Sequence, residues 1–364
     1  MRLPYKKVIY IINNLDPGGA ELGLEKLIQS RLFDEVDFKL VCLSKSNSDL
    51  EKRLSLRLKE KLIFIEKNKI NNKRLLSYSF QLRTLIIKEK VDIVISSLSQ
   101  SVMVARLARL TKKFKLITFE HNICFQNKIA YYLQKYSDFL TDYFWCDSKA
   151  TLESLHMRLG DNKKKTKIVP LFSTSNLYPK KENYNIGTSI RIAVIGRLTE
   201  QKNHIECINT LEILTRLGLN VQMHFFGDGP LEAKLKNYSL ERKLNNNIIF
   251  EGFKHNWQHD MVNFDIYLLL SKFEGLSIAT LEAMSTGIPC VVTSVGELKN
   301  YIVDDQNGLF VKDSKEAAAA IQSLIENQLK RERLGKAAIA FIENEHSITQ
   351  FNNLISEAKK DLEA

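Results

Sequence analysis

The chain has 364 residues, 44% hydrophobic and 26% charged, which excludes a disordered or fibrous protein and favours two domains of roughly 150 to 200 residues. Its formal net charge of +11 is unevenly placed: residues 1–170 carry 32 Lys/Arg against 18 Asp/Glu, net +14, and the remainder is net −3. That excess points the first half toward something anionic, whether a nucleic acid, an acidic substrate or a phospholipid surface.

The five cysteines, Cys42, Cys124, Cys146, Cys207 and Cys290, are dispersed without a Cys-x-x-Cys pair. This argues against a disulfide framework or a zinc site and makes a reduced, cytoplasmic setting the expectation. The first apolar run, residues 8–12, is too short for a signal-peptide core, and no stretch of about 18 uncharged apolar residues is present to span a bilayer.

Short apolar runs rich in β-branched and aromatic residues follow in order at 8–12, 38–43, 62–65, 93–97, 116–119 and 143–146, with helical spacing between them. Their hydrophobicity is continuous rather than alternating, as in parallel strands covered on both faces. Residues 171–189 are mostly polar, contain Pro179 and Gly187 and have no sustained period, so they read as a linker after a first domain of residues 1–170. The alternation restarts at 190–195, 221–226, 248–250, 266–270, 289–293 and 309–311, followed by helices expected at 314–326, 327–344 and 347–362. The expectation is an α/β chain of two doubly wound units, residues 1–170 and residues 190–345, with a terminal helix over 346–364. Ligands of such sheets bind beyond the carboxyl ends of the strands.

The richest stretch is Phe273-Glu274-Gly275-Leu276-Ser277 and the small, apolar run after it, which Gly287 caps and Pro289 ends. A helix start at a strand's carboxyl end presents free N–H groups and a positive dipole end, which suits a diphosphate. Glu274 and Glu282 flank that start. As anions they suit ribose or sugar hydroxyls rather than phosphate, and a purely local cap or pair is the competing reading of Glu282. Ile195-Gly196-Arg197-Leu198-Thr199-Glu200-Gln201-Lys202 is likewise strand, glycine turn and helix start, and its cations can neutralise a leaving nucleoside diphosphate.

In the first half, Gly18 and Gly19 of Asp16-Pro17-Gly18-Gly19-Ala20-Glu21 let backbone approach a phosphate or sugar. Glu120-His121-Asn122, after the fifth run, is either substrate-facing or a helix-start cap. His255 and His259 have no third ligand spaced to join them in a metal site. Gly227-Asp228-Gly229-Pro230 lacks the third glycine of a dinucleotide fingerprint, and no Asp-x-Asp occurs to hold a diphosphate through a divalent cation. No cofactor and no obligatory metal is therefore expected, with Arg197 and Lys202 in the cation's place.

In order and spacing, Ile195-Gly196-Arg197-Leu198, Lys202-Asn203, Phe226-Gly227-Asp228-Gly229-Pro230, Gly252-Phe253 and Glu274-Gly275-Leu276 through Leu281-Glu282-Ala283-Met284-Ser285-Thr286-Gly287 resemble the retaining glycosyltransferases of family 4. Gly18-Gly19-Ala20-Glu21, Glu120-His121-Asn122, Asp147-Ser148-Lys149 and Asn307-Gly308-Leu309 extend the resemblance over the whole chain. It implies the GT-B architecture, two Rossmann-like domains facing a cleft with the terminal helix crossing back onto the first, and transfer of a sugar from a nucleotide donor to a hydroxyl acceptor with retention and without an obligatory metal. Carried over, Arg197 and Lys202 hold the diphosphate, aided by backbone near Leu281. Glu282 takes the ribose hydroxyls, Glu274 the donor sugar, and Gly19 closes on the phosphates. His121 orients the sugar or the acceptor. The donor-contacting set is Gly18, Gly19, Gly196, Arg197, Lys202, Glu274, Gly275, Leu276, Leu281 and Glu282; the catalytic set is His121, Arg197, Lys202 and Glu274.

The chain departs from the family pattern at Asn300, where a glutamate is common, while Glu297 lies three residues earlier. The partners expected are a nucleotide-sugar donor, UDP-linked among the options, and a glycan or lipid-linked acceptor in bacterial surface polysaccharide or lipopolysaccharide assembly. An anionic membrane surface is expected too, with no nucleic acid, because no basic helix interleaved with aromatics is present. The cations of residues 52–90 and the aromatics of 127–145 motivate the membrane expectation, although Tyr143 to Trp145 read better as core. A nucleotide-sugar epimerase of the same shape, or a non-catalytic nucleotide-sugar-binding subunit, are the alternatives.

Overall fold

A computed structural model describes residues 6–121, 123, 128–160, 164–174 and 178–363, and Asn122, Cys124 and Asn127 lie outside them. The chain divides into two compact units, Met1–Phe172 with Phe351–Ala364, and Ser173–Gln350.

Unit 1 is built on strands β1 (Lys7–Ile12), β2 (Asp37–Ser44), β3 (Leu62–Glu66), β4 (Ile93–Ser97), β5 (Lys115–Glu120), β6 (Tyr143–Cys146) and β7 (Lys165–Ile168). They form one parallel sheet in the order β3-β2-β1-β4-β5-β6-β7. Helices α1 (Gly19–Gln29), α2 (Asp49–Leu58), α3 (Leu75–Glu89), α4 (Ser99–Arg109), α5 (Lys128–Ser137) and α6 (Lys149–Leu159) connect them. Right-handed crossovers from this strand order put α1 and α2 on one face and α3 to α6 on the other. Both faces being covered, the central strands are buried throughout, which is why they read as continuous apolar runs.

The strand that sequence pattern did not foresee is β7, whose Lys165-Thr166-Lys167-Ile168 holds one apolar residue. It pairs with β6 at the sheet's edge, where lysines and partial exposure are what an edge tolerates.

Unit 2 has strands β8 (Ile190–Ile195), β9 (Val221–Phe226), β10 (Ile248–Gly252), β11 (Ile266–Leu269), β12 (Cys290–Thr293) and β13 (Leu309–Val311), in the order β10-β9-β8-β11-β12-β13, all parallel. Its helices are α7 (His204–Arg216), α8 (Glu232–Glu241), α9 (Trp257–Asp260), α10 (Ile278–Thr286), α11 (Leu298–Tyr301), α12 (Ser314–Glu326) and α13 (Gln328–Glu345). Asp313 caps α12 by accepting from the Lys315 and Glu316 N–H groups, and Asn327 caps α13. A core of Val194, Leu211, Met223, Phe225, Leu268, Val291 and Ile321 lies between the sheet and the helices.

In the segment read as a linker, Lys181 and Tyr184 are buried against unit 2. Residues 173–189 belong to unit 2, where the Lys181 Nζ donates to the carbonyls of Phe264 (2.8 Å) and Val262 (3.1 Å). The Tyr184 hydroxyl donates to Gly287 O at 3.0 Å, and the buried Arg331 guanidinium donates to Tyr184 O. These contacts are made by polar groups without periodicity, so no pattern announces them. The last helix, α14 (Ile348–Glu363), lies in unit 1 from Phe351 onward. Trp145 Nε1 donates to Asp361 Oδ2 at 3.0 Å, and Lys167 pairs with the same carboxylate at 2.9 Å. No helix among the described residues is long and apolar enough to cross a membrane.

His204 opens α7 against the Phe225 ring with its Nδ1 buried and unpartnered, and burial first, then the charge of Lys202, lower its pKa from 6.5 to about 4. Between those values the unfolded chain is protonated at this position and the folded chain is not. Stability is therefore lost as pH falls below 6.5, levelling off near 4, and amounts to about 2 kcal/mol at pH 5 from this residue. We expect His204→Phe to flatten the urea midpoint between pH 7 and pH 5 by that amount; an unchanged pH slope would contradict the assignment.

Candidate functional site

In both sheets the chain reverses direction beside the first strand, between β1 and β4 and between β8 and β11, and the polar residues singled out in the sequence gather at the carboxyl ends there.

In unit 2, β8 ends at Ile195 and turns through Gly196 and Arg197. A second turn, Gly227-Asp228-Gly229, is sewn onto it: Gly196 N–H donates to Phe226 O (2.9 Å), Leu198 N–H to Asp228 O (2.8 Å) and Leu231 N–H to Leu198 O (3.1 Å). At Gly227, with φ +135°, a Cβ would stand 2.3 Å from Gly196 O. The glycines of that incomplete fingerprint thus let two backbone turns touch, and the first turn presents an exposed Arg197.

Lys202 reaches from the same connection to Glu274 beyond β11, Nζ to Oε1 at 2.7 Å. Ser271 donates to that same oxygen at 2.5 Å, and its own carbonyl accepts from Thr293 Oγ1 at 2.7 Å. Glu274 is 3% exposed, so the pair is largely desolvated. Lys272 N–H donating to Gln201 O (2.9 Å) and Gln201 Nε2 donating to Phe273 O (3.1 Å) lock the two loops together. Sequence reasoning named Lys202 and Glu274 but not their contact, nor Ser271.

Gly275 and Leu276 then lead into α10. Its first intrahelical i→i−4 bond runs from Leu281 N–H to Ser277 O at 3.2 Å. The Leu281 N–H expected for the diphosphate is therefore already given to that carbonyl, and ahead of it the Thr280 and Ile278 N–H groups donate to Ser277 O and Leu276 O, each at 3.1 Å. Thr280 Oγ1 bonds both Ser277 Oγ and the buried Tyr267 hydroxyl at 3.0 Å. Glu282 is 8% exposed on α10, and burial, then the Glu282 charge, push the Tyr178 phenol up to about 12. The turn at Gly296, φ +55°, packs on Glu274 so closely that a Cβ would meet Glu274 O at 1.8 Å. Beside it Asn300 Nδ2 donates to Glu297 Oε2 at 2.9 Å, so the two residues at the departure from the family pattern are hydrogen-bonded to each other.

In unit 1 the corresponding edge holds His121, after β5. Its Nε2 lies 2.9 Å from Ser97 Oγ at the end of β4, and its Nδ1 lies 3.2 Å from Asp147 Oδ2, just past β6. Ser97 escaped attention as a single polar residue and Asp147 entered only within the Asp147-Ser148-Lys149 resemblance, without a role, yet each stands at a strand's carboxyl end, which is the signal that could have found them. Glu120 is neither substrate-facing nor a cap: it accepts from Arg158 (2.6 Å) and Gln134 (2.9 Å), both buried. Gly18 is the N-cap of α1, and the Glu21 carboxylate sits 2.5 Å from where a Gly18 Cβ would be. An anion arriving at Gly18 and Gly19 meets that carboxylate, so these glycines suit a sugar hydroxyl better than a phosphate in this geometry. Among the described residues no group of three or more His, Cys, Asp or Glu is arranged to hold a metal.

Residues 179–341 match the family model described as glycosyl transferases group 1. The O-antigen biosynthesis glycosyltransferase WbnH of Escherichia coli is 28% identical over 243 residues, 65% of this chain and 68% of that protein. UDP-Gal:alpha-D-GlcNAc-diphosphoundecaprenol alpha-1,3-galactosyltransferase of Escherichia coli is 29% identical over 131 residues, 34% of this chain and 33% of that protein. The crystal structure of Anabaena Alr3699/HepE in complex with UDP and glucose superposes with a TM-score of 0.84 at 17% identity, covering 98% of this chain and all of that one (100%). Unit 2 thus carries a group 1 glycosyltransferase domain, and the two parallel-sheet units have the GT-B fold.

Proposed function

We propose that this chain is a group 1 glycosyltransferase that moves a sugar from a nucleotide-sugar donor to a hydroxyl of a glycan or lipid-linked acceptor in surface-polysaccharide assembly, with retention at the anomeric carbon and without an obligatory metal. The observation that carries the reading is the desolvated Lys202–Glu274 pair, set with Arg197 ahead of α10. Cations for a diphosphate and a carboxylate for sugar hydroxyls are thereby adjacent on one sheet edge. Glu282 is assigned the ribose hydroxyls, and unit 1, with His121, the acceptor. UDP is the preferred nucleotide, since HepE binds UDP and the galactosyltransferase relative is named for UDP-Gal. The test is a thermal-shift screen of nucleoside diphosphates, expected to raise the melting point with UDP and to lose that shift in Glu282→Ala. Full transfer activity in Glu282→Ala would sink the assignment.

The reading includes an anionic membrane surface, supported by α5. This helix buries Gln134 and turns Ile129, Leu133 and Tyr136 outward, 72%, 55% and 72% exposed, with Phe139 64% exposed just beyond. Its amphipathicity is inverted: the polar side chain is inside and the apolar stripe at i, i+4, i+7 is outside. Lys128 and Lys135 are exposed on it, while the nearest acid, Asp138, is buried. On the same sheet face α3 exposes Leu76 and Phe80 near Lys73 and Arg74. Apolar side chains ringed by cations suit an anionic lipid interface. Phe144 and Trp145 do not contribute, because they are core. Co-sedimentation with phosphatidylglycerol vesicles should be lost in Leu133→Ser/Tyr136→Ser; retention by that variant would remove α5 from the surface.

A further inference from the structure

The Ser97–His121–Asp147 chain in unit 1 has an internal logic that fixes its protons. Asp147 accepts at both oxygens: Oδ2 faces His121 Nδ1 at 3.2 Å and Oδ1 accepts from Thr151 Oγ1 at 2.8 Å. Thr151 in turn is held by Ser148, the N-cap of α6, whose hydroxyl lies 2.8 Å from Thr151 Oγ1 and accepts from Thr151 N–H. A carboxylate cannot donate, so Nδ1 carries a hydrogen and, in the neutral ring, Nε2 is an acceptor for the Ser97 hydroxyl. The Phe119 ring, 4.3 Å away, packs on the imidazole. The His121 and Asp147 side chains are 6% and 4% exposed, so breaking their contact would leave a carboxylate with little water to replace it.

The Ser97 contact is the exchangeable one. The Tyr10 hydroxyl is buried beside Ser97, the side chain within its hydrogen-bonding reach. If a ligand hydroxyl takes the Nε2 lone pair, the Ser97 O–H has Tyr10 to turn to, and no buried charge is exposed.

We propose that Asp147 is the positioning residue of His121: it holds the imidazole as the Nδ1–H tautomer so that Nε2 accepts a substrate hydroxyl in exchange for that of Ser97. The inference rests on the reading of His121 as the residue that orients the sugar or the acceptor.

Three variants and one spectrum test it. His121→Ala and Asp147→Ala should each lower kcat about 10- to 100-fold with the donor KM little changed. The double variant should be no worse than His121→Ala alone, because the two residues act as one unit. UDP binding, which belongs to unit 2, should be unchanged in all, separating this effect from unfolding. Independently of turnover, ¹⁵N spectra of the His121 ring should show Nδ1–H with Nε2 unprotonated in the native chain and a shift toward Nε2–H in Asp147→Ala. Losses that multiply in the double variant, wild-type turnover in Asp147→Ala beside an impaired His121→Ala, or an unchanged tautomer would overturn the proposal. Should His121→Ala itself be fully active, the reading of His121 falls while the spectrum still decides whether Asp147 sets its tautomer.

Discussion

Lys202→Ala is expected to lower sugar transfer by about two to three orders of magnitude, the size of effect seen when a preorganised charge partner of a developing anion is removed. The leaving diphosphate gains charge as its bond to the sugar breaks, and an ammonium fixed in a water-poor site stabilises that charge more than bulk solvent does. Lys202 is fixed by Glu274, which also keeps it from folding away in the donor-free chain. Its removal has a second effect: Glu274, 3% exposed, loses its cation and keeps the Ser271 hydroxyl as a donor. We expect the variant to lose affinity for UDP far more than for uridine, since the diphosphate supplies the difference, and the native enzyme to keep its activity in chelator. Transfer within threefold of the native rate, or equal losses for UDP and uridine, would remove Lys202 from the diphosphate.

Asp138→Ala is expected to be the most destabilising single substitution in unit 1, by about 3–5 kcal/mol, read as a drop in the urea midpoint. Asp138 is 2% exposed and accepts from two guanidiniums, Arg106 at 2.6 Å and Arg158 at 2.8 Å. Arg106 is wholly buried and also donates to Ser137 Oγ and Gln134 O, while Arg158 goes on to Glu120. Two buried cations are thus matched by two buried carboxylates, and removing one acid leaves a charge that cannot neutralise itself, because arginine does not deprotonate. This cluster ties α4, α5 and α6 to β5 and is what lets α5 keep its apolar stripe outward. Arg106→Met combined with Asp138→Leu should recover part of the stability, since an apolar replacement of a buried pair costs less than its breakage. A loss below about 1 kcal/mol in Asp138→Ala would mean that water enters the cluster.

Much of this was legible in the residues. Continuous apolar runs named twelve of the thirteen strands because both faces of each sheet are covered, so burial leaves no alternation to misread. The exception, β7, is an edge strand of lysine and threonine, where burial imposes no composition. Arg197, Lys202, Glu274 and Glu282 could be singled out because their chemistry is local: each follows a strand closely, and strand ends are where such sheets bind.

Contacts made across strands were not legible. Lys202 to Glu274 spans 72 residues and His121 to Asp147 spans 26, and no local period relates their positions. The same holds for Glu120: composition left it as a substrate-facing group or a cap, and its actual partner, Arg158, arrives 38 residues later on α6. By itself, then, the amino-acid order determined the two parallel-sheet units, the positions of the loops and the residue types at their mouths, all consequences of burial and backbone propensity over short stretches. Only the tertiary structure decided which charges meet, which nitrogen of His121 carries its hydrogen and that α5 faces outward, because those depend on strand order bringing distant residues within hydrogen-bond distance.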